Sequence, residues 1–384
     1  MKTTIILLLL LQLITINLSI SNEELPYYYK EYIESFGHKL EEHQTMTDDG
    51  YILTLWHLAP NSSVDKTKVV YFQHGFTCTA WVFFQMEKNS LPFLLLEQGY
   101  DVWLGNSRGT IFSLDHISKD YKKANGDYWD FSIDENALYD LPASIEYVKQ
   151  ATGANKINYI GHSQGTTVFF MLYMHNPSYL ESSINMFISL GTVPNIAYSK
   201  SLPMSILDKI YDVLKMVRPL TKAIGFSDIQ RSILSHACEK AQNLCLNSFE
   251  KLASLIPTNR AKIERLFPFL YYYPGGTSAN TVLHWSQIYK EKKLVYFNKD
   301  YDDESEMKEY DTKNIKKWKI KSLIQRSDCD SFSSYEDVTE FYELIENKSL
   351  IKLIDTQMYG HTDDLVADSA LDEVYFPVID FLNK

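Results

Sequence analysis

The stretch Gly161-His162-Ser163-Gln164-Gly165 has the form G-x-S-x-G. A strand-like run at residues 156–160 precedes it, and a helix-like run at residues 166–174 follows it. A serine at such a strand-to-helix junction is typical of a nucleophile elbow, a sharp turn that lifts the hydroxyl above the sheet. We attribute the turn to the conformational freedom of Gly161 and Gly165. The alternative, an ordinary serine in a glycine-containing loop, fits the flanking strand and helix less well.

Length and composition indicate a folded, acidic protein. The 384 residues are enough for one large α/β domain with an insertion, or for two domains. Hydrophobic residues make up 45% and charged residues 22%, so we expect a sizeable core and no extensive disorder. Aromatic residues reach 14%, which suits a protein that handles apolar ligands, although core packing also uses them. The formal charge of −12 argues against nucleic acid as a partner.

Short apolar segments alternate with helix-like segments along much of the chain. Residues 134–150 carry apolar side chains at helical spacing, and Pro142 within them predicts a kink or the true start of the helix. Such alternation is typical of an α/β protein with a mostly parallel central sheet and helices on both faces. The strand-like segments are 68–73, 100–104, 156–160, 186–190, 320–325 and 350–354.

The alternation stops at about residue 196 and resumes after residue 310. Residues 203–217 look helical and carry a wide apolar face. We therefore predict an inserted, mostly helical cap or lid at 196–310, between core segments at 22–195 and 311–384. The pattern leaves open whether the apolar face packs on the core or meets a lipid ligand.

The first residues have the pattern of a secretory signal peptide. Lys2 supplies the positive start, and an apolar run follows at residues 5–11. Small residues at Ser19 and Ser21 predict cleavage after Ser21, so that the signal peptide covers residues 1–21. An uncleaved membrane anchor is the alternative, but the run is short and is interrupted by Gln12.

Entry into the secretory pathway changes how the cysteines and asparagines are interpreted. Cys238 and Cys245 lie seven residues apart in one polar segment and are a candidate local disulfide in an oxidising compartment. Metal-ligand spacing such as C-x-x-C is absent from the sequence, and we expect no metal. Asn61 and Asn347 each begin an N-x-S sequon in a polar stretch and are candidate glycosylation sites.

A serine hydroxyl needs a base to accept its proton before it can act as a nucleophile. In folds with this elbow, the acid and then the histidine follow the serine in the chain. His361 lies just after the strand predicted at residues 350–354, which is where the base is expected. A histidine in a surface loop is the alternative. We therefore assign Ser163 as the nucleophile and His361 as the general base.

The acid that orients the base should follow the preceding strand, which is predicted at residues 320–325. Asp328 and Asp330 both lie there, and the spacing does not choose between them. An EF-hand calcium loop starting at Asp328 is excluded by Ser333, because that position of the loop requires glycine. The pattern therefore predicts a Ser-Asp-His triad with its acid still open.

Two backbone N–H groups are needed to stabilise the oxyanion that forms when serine attacks a carbonyl. One is expected from Gln164, the residue after the nucleophile. The other should come from the loop after the first central strand, and we assign it to Phe76. Gly75 would permit the close approach. An ordinary turn at the end of that strand is the alternative.

Several motifs, in the same order along the chain, resemble the acid lipase family of gastric and lysosomal lipases. The resemblance covers nearly all of the predicted mature chain. Its most specific stretch is Gly-Tyr-Asp-Val-Trp-Leu-Gly-Asn-Ser-Arg-Gly at residues 99–109. The other matching stretches include Gln73-His74-Gly75, Trp129-Asp130-Phe131-Ser132, Gly161 to Thr167, and His284-Trp285.

The resemblance implies an α/β-hydrolase fold and hydrolysis of neutral lipid esters, either triacylglycerols or steryl esters. It implies Asp330 as the acid of the triad with Ser163 and His361, and it implies the pair Cys238–Cys245 within the cap. No cofactor and no metal are implied. The expected partner is a lipid ester at a lipid–water interface, with transient contact to a membrane or lipid droplet, and the expected location is extracellular or lysosomal.

Three other functions are compatible with parts of this pattern. An acyltransferase would use the same triad but pass the acyl group to another alcohol. A catalytically inactive relative would bind and carry lipid, and a peptidase would use the same fold. The complete set of Ser163, Asp330 and His361 argues against the inactive relative. Substrate preference, pH optimum and oligomeric state stay open.

Overall fold

The computed structural model describes residues 28–60, 65–225, 265, 269, 271–302 and 305–384. Several sequence predictions fall outside these residues: the signal peptide at 1–21, the sequon at Asn61, the pair Cys238–Cys245, and the centre of the predicted cap. The division of the chain into two core segments and a cap therefore stays a prediction.

A sheet of nine strands forms the centre of the described chain. Its strands β2, β4, β3, β6, β7, β10 and β11 lie side by side in this order, β1 pairs with the outer edge of β2, and β5 also pairs with β2. All neighbours from β4 to β11 run parallel, whereas β1, β2 and β5 are antiparallel. In chain order the strands are β1 (Glu41–Met46), β2 (Tyr51–Leu58), β3 (Val69–Gln73), β4 (Asp101–Gly105), β5 (Asp115–His116), β6 (Ile157–His162), β7 (Ile184–Leu190), β8 (Ala223–Ile224), β9 (Thr277–Ser278), β10 (Lys321–Ser327) and β11 (Ile351–Thr356), with β8 and β9 forming a separate pair.

Helices cover both faces of this sheet, as the alternation in the sequence predicts. Successive residues of β3 belong to different apolar clusters, because side chains along a strand alternate between faces. Val70 packs with Trp56 in one cluster, and Tyr71 packs with Phe169 in the other. The α-helices are α1 (Tyr28–Glu34), α2 (Leu91–Glu97), α3 (Ile133–Glu135), α4 (Leu141–Thr152), α5 (Gln164–His175), α6 (Pro177–Ser183), α7 (Leu202–Lys209), α8 (Tyr211–Val217), α9 (Ala279–Glu291), α10 (Lys313–Lys316), α11 (Tyr335–Leu344), α12 (Asp363–Val366) and α13 (Phe376–Leu382), with 3-10 turns at Ala80–Phe84, Glu87–Asn89, Asp127–Trp129 and Lys348–Leu350 and π turns at Asn136–Asp140 and Leu371–Tyr375.

The mostly parallel sheet with helices on both faces confirms the predicted fold class. Pro142 lies in the first turn of α4, directly after the π turn Asn136–Asp140. The proline therefore marks both an irregularity in the helical segment and the start of its regular part, and each of the two predictions is partly right. The single helix predicted at 203–217 is two helices, α7 and α8, that meet at Ile210. In the described part of 196–310, no strand joins the central sheet.

Helix α8 and the residues after it present apolar side chains to the surface. Val213 and Met216 on α8, and Leu220 just after it, are 50%, 71% and 77% exposed. Within the described residues, none of the helices combines the length and the apolar character that crossing a membrane requires.

Candidate active site

Ser163 occupies the junction between β6 and α5 in a strained conformation. Its backbone has φ +56° and ψ −122°, a region that non-glycine residues rarely enter. The backbone N–H of Ser163 donates to the carbonyl of Leu190 on β7 at 3.1 Å, which holds the turn against the neighbouring strand. The side chain is therefore fixed where the parallel strands end, which is the usual location of sites in sheets of this kind.

The glycines of the elbow act through their small size and not through a positive φ. Neither Gly161 nor Gly165 has a positive φ, so the sequence-based reason given for them is wrong. A Cβ on Gly165 would lie 2.2 Å from the carbonyl oxygen of Gln73, and a Cβ on Gly161 would lie 2.7 Å from that of Gly165. The glycines thus let α5 pack closely on the ends of β3 and β6, while Ser163 itself carries the strain.

Ser163, His361 and Asp330 form one chain of hydrogen bonds at the end of the sheet. His361 Nε2 lies 2.7 Å from Ser163 Oγ, and His361 Nδ1 lies 2.7 Å from Asp330 Oδ2. All three residues are buried, with between 4% and 8% of their surface exposed. A serine, an imidazole and a carboxylate in this order can activate the hydroxyl as a nucleophile.

The loop after β10 orients one of its two candidate carboxylates toward the imidazole. Asp330 Oδ1 accepts hydrogen bonds from the backbone N–H groups of Phe332 and Ser333 at 2.8 and 3.1 Å, which leaves Oδ2 for His361. Asp328 is exposed, and its Oδ1 accepts from the N–H of Met358 instead. The geometry therefore brings Asp330, and not Asp328, to the histidine.

The surroundings of His361 favour its charged form. Burial alone would lower the pKa of the imidazole, because it penalises the imidazolium. The negative charge of Asp330, the hydrogen bond to Asp330 and the charge of Asp364 act in the opposite direction, and the net effect raises the pKa of His361 above its usual value. An imidazole in these surroundings is well suited to hold a proton taken from a neighbouring hydroxyl.

The two residues expected to supply oxyanion N–H groups flank Ser163. Gln164 is the first residue of α5, so its N–H has no partner within the helix. Gly75 lies against the nucleophile, because a Cβ there would be 2.8 Å from Cβ of Ser163 and 3.2 Å from its Oγ. This contact brings the start of the loop that contains Phe76 next to the Ser163 hydroxyl. The Gln164 side chain is held away by a 2.9 Å hydrogen bond from the indole N–H of Trp285.

Sequence reasoning missed a second histidine–carboxylate pair behind the triad. His162 Nε2 lies 3.3 Å from Asp364 Oδ1 and 3.2 Å from the backbone carbonyl of His361. Asp364 is 1% exposed, and neither of its carboxylate oxygens has a hydrogen-bond partner among the described residues. The two residues are distant in the chain, and only the H-x-x-D spacing of His361 and Asp364 could have hinted at them.

His74 and Arg108, which belong to the family motifs, hold the loops that follow β3 and β4. His74 Nε2 accepts the backbone N–H of Ser107 at 3.0 Å, and burial lowers the pKa of this imidazole to about 4, so that it stays a neutral acceptor. Arg108 is 1% exposed and donates to Asp140 at 2.7 Å and to Asp49 at 2.5 Å. Arg108 therefore joins the turn of the β1–β2 hairpin to the π turn that precedes α4.

The remaining candidate residue in the described chain is Asn347. It is exposed in the turn before β11.

Family models match two overlapping parts of the chain. Residues 68–364 match a model described as alpha/beta hydrolase fold, and residues 29–87 match one described as partial alpha/beta-hydrolase lipase region. Lipase member K of Homo sapiens is 33% identical over 379 residues, which cover 94% of this chain and 91% of that protein. Gastric triacylglycerol lipase of Mus musculus is 31% identical over 379 residues, with 93% of this chain and 92% of that protein covered.

Solved structures resemble this one in fold. An esterase from Exiguobacterium antarcticum superposes with a TM-score of 0.52 at 14% identity, covering 90% of this chain and 100% of that chain. A thermophilic esterase from Thermogutta terrifontis gives a TM-score of 0.51 at 12% identity, covering 89% and 98%. At these identities the likeness concerns the fold alone.

Proposed function

The chain belongs to the acid lipase family of α/β hydrolases and is a carboxylic ester hydrolase, and from this premise we propose that it hydrolyses neutral lipid esters through an acyl-enzyme intermediate. The observation that carries the proposal is the hydrogen-bond chain from Ser163 through His361 to Asp330. The substrate class rests on the relatives, which are named as lipases.

In the proposed mechanism, Oγ of Ser163 attacks the ester carbonyl carbon while Nε2 of His361 accepts the hydroxyl proton. The negative charge that develops on the carbonyl oxygen is stabilised by the N–H groups of Gln164 and Phe76. His361 then gives its proton to the departing alcohol, which leaves the acyl group on Ser163. Water, deprotonated by the same imidazole, attacks this ester and releases the fatty acid. Asp330 holds the proton on Nδ1 and stabilises the imidazolium.

We further propose that the segment 196–310 is a cap and that α8 meets the lipid surface. The exposed Val213 and Met216 on α8, and Leu220 three residues after it, support this, because neighbouring exposed apolar side chains suit contact with a lipid interface. A signal peptide at 1–21 and a glycan on Asn347 would be consistent with a secreted or lysosomal enzyme of this kind.

Fatty-acid release from emulsions tests the proposed substrate class. We expect release from triolein, from cholesteryl oleate, or from both, with a rate that rises sharply once the substrate forms a separate lipid phase. Adding a free alcohol or sterol as acceptor distinguishes transfer from hydrolysis, because an acyltransferase would form a new ester in place of fatty acid. A folded enzyme that cleaves soluble short-chain esters but neither emulsion would contradict the lipid substrate while leaving the esterase intact.

The pH dependence of hydrolysis tests the electrostatics around the base. The base must be neutral, so kcat/KM for a soluble ester should fall as pH decreases through the raised pKa of His361. The charge of Asp364 helps to raise this pKa, so removing it in Asp364→Asn should lower the pKa and move the acidic limb to lower pH. The measurement is kcat/KM against pH for p-nitrophenyl butyrate.

Asp372→Asn is the matched control for this charge effect, since Asp372 is an exposed acid. Its acidic limb should coincide with that of the wild type. An Asp364→Asn profile that moves to higher pH, or that does not move at all, would show that the charge of Asp364 does not act on the base.

A further inference from the structure

A second cluster of titratable side chains lies at the edge of the sheet, away from the serine. Glu41 on β1 and His57 on β2 are directly opposite in the antiparallel register. His43 lies two residues along β1 and therefore shares the face of Glu41. Strands β4 and β3 separate β2 from β6, which puts the cluster about 14 Å from the strand that leads to Ser163.

The imidazole nitrogens that face Glu41 lack hydrogen-bond partners. His57 Nδ1 and His43 Nε2 are buried atoms with no partner among the described residues. They lie 3.6 and 3.8 Å from the same carboxylate oxygen, Glu41 Oε2, which is too far for hydrogen bonds. Each of the three residues offers one atom that could bind a metal, and these three atoms all lie within 4.8 Å of one another. A buried polar nitrogen without a hydrogen bond lowers the stability of the folded protein, and a ligand bound to these nitrogens would restore that stability.

The opposite nitrogen of each ring is held by a partner. His57 Nε2 lies 2.5 Å from Oδ1 of Asp101, which is 2% exposed. A carboxylate only accepts hydrogen bonds, so Nε2 is the donor of this contact and Nδ1 is the nitrogen on the side of Glu41. His43 Nδ1 likewise lies 3.0 Å from the hydroxyl of Tyr147. Histidines that bind metals are oriented in this way, with the second nitrogen donating to a carboxylate or another oxygen.

We propose that Glu41, His43 and His57 bind one divalent transition-metal cation of the zinc type. Two imidazoles and one carboxylate form a donor set that zinc accepts, with water in the fourth position. Ligand atoms at about 2.0–2.1 Å from a tetrahedral zinc lie about 3.4 Å from one another. The carboxylate oxygen lies 3.6 and 3.8 Å from the two nitrogens, and all three ligand atoms lie within 4.8 Å of one another. Rotations of the side chains would therefore have to bring them together around the ion.

Lys39 would compete with a bound cation for the carboxylate of Glu41. Its Nζ lies 2.7 Å from Oε1, the carboxylate oxygen that faces away from the histidines, and the lysine side chain is 76% exposed. An exposed ion pair of this kind contributes little to the stability of the folded protein, so the Lys39 ammonium can move into solvent when a cation binds at Oε2. Glu41 is itself 39% exposed, which gives an ion access to the cluster from solvent.

The metal would join the edge strand β1 to β2 across their hydrogen-bonded register. Among the described strands β1 pairs with β2 alone, so a ligand that links its side chains to β2 adds to its attachment. The role is structural, and the serine chemistry proceeds without it. Short metal-ligand spacings are absent from the sequence, which is why no metal was expected, whereas these ligands meet across a hairpin.

Zinc and cobalt titrations of the full chain test this site. At neutral pH we expect one equivalent of Zn²⁺ to bind and to raise Tm by a few °C at about 100-fold excess over Kd. Co²⁺ should give the visible absorption of a tetrahedral nitrogen–oxygen site. The ring of His57 stacks on Trp103 at 4.0 Å, so Co²⁺ should also quench the fluorescence of this tryptophan.

Variants locate the metal without relying on activity. Glu41→Gln and His43→Gln, which change partly exposed positions, should each weaken Zn²⁺ affinity by roughly 100-fold or more, since even the loss of an outer partner costs 10–100-fold. Lys39→Gln should bind at least as tightly as the wild type, and His175→Gln, at an exposed histidine elsewhere, should bind equally.

Two results would overturn the proposal. One is a wild-type Tm that Zn²⁺ does not raise, which would leave the cluster as an ion-pair group. The other is Zn²⁺ binding that survives Glu41→Gln and His43→Gln and disappears in His361→Ala, which would place the ion at the triad instead.

Discussion

Replacement of Ser163 by alanine should lower kcat for ester hydrolysis by a factor on the order of 10⁶. The hydroxyl that lies 2.7 Å from His361 Nε2 would be gone, and no acyl-enzyme could form. The residual rate would come from substrate binding and from the oxyanion N–H groups alone. Hydrolysis of p-nitrophenyl butyrate, which needs no lipid interface, is the assay with the widest range for this comparison.

Labelling with a fluorophosphonate identifies the reacting serine independently of turnover. The wild type should be labelled at Ser163, and Ser163→Ala should not be labelled. Ser178→Ala removes an exposed hydroxyl on α6 and is the matched control, with unchanged activity and labelling. An unchanged Tm in Ser163→Ala would show that the loss is chemical. Hydrolysis within about tenfold of the wild type would contradict the proposed nucleophile.

The sequence was sufficient to predict the parallel sheet and the positions of Ser163 and His361 at its edge, because these depend on local order along the chain. The serine is recognised from the strand and helix beside it, and His361 from its position after the last strand. The fold places both at the same edge of the sheet, since parallel strands all end there. The resemblance to the family then favoured Asp330 over Asp328.

The features that the sequence did not predict depend on contacts between distant segments. Asp364 and His162 meet only when the loop after β11 packs against the elbow. Glu41 and His57 meet through the register of a hairpin, which spacing along the chain does not specify. The strain of the elbow was attributed to its glycines, because φ angles cannot be read from the motif, whereas the strained residue is Ser163.

The second large loss of activity is expected from replacing Asp330, and not Asp328, in the loop after β10. Asp330→Asn should lower kcat by a factor on the order of 10⁴ with little change in stability. The asparagine oxygen can still accept the N–H groups of Phe332 and Ser333, so the loop should keep its shape. Its amide N–H₂ would face Nδ1 of His361 and favour the tautomer with the proton on Nε2, which cannot accept a proton from Ser163.

Asp328→Asn is the matched control, since it makes the same chemical change two residues away at an exposed position. It should keep nearly all of the wild-type kcat on p-nitrophenyl butyrate. Without the charge of Asp330, the pKa of His361 should fall, so the small remaining activity of Asp330→Asn should persist to lower pH than that of the wild type. A larger loss of kcat in Asp328→Asn than in Asp330→Asn would reverse the assignment. The carboxylate that orients the imidazole must be the one whose removal slows the reaction at Ser163.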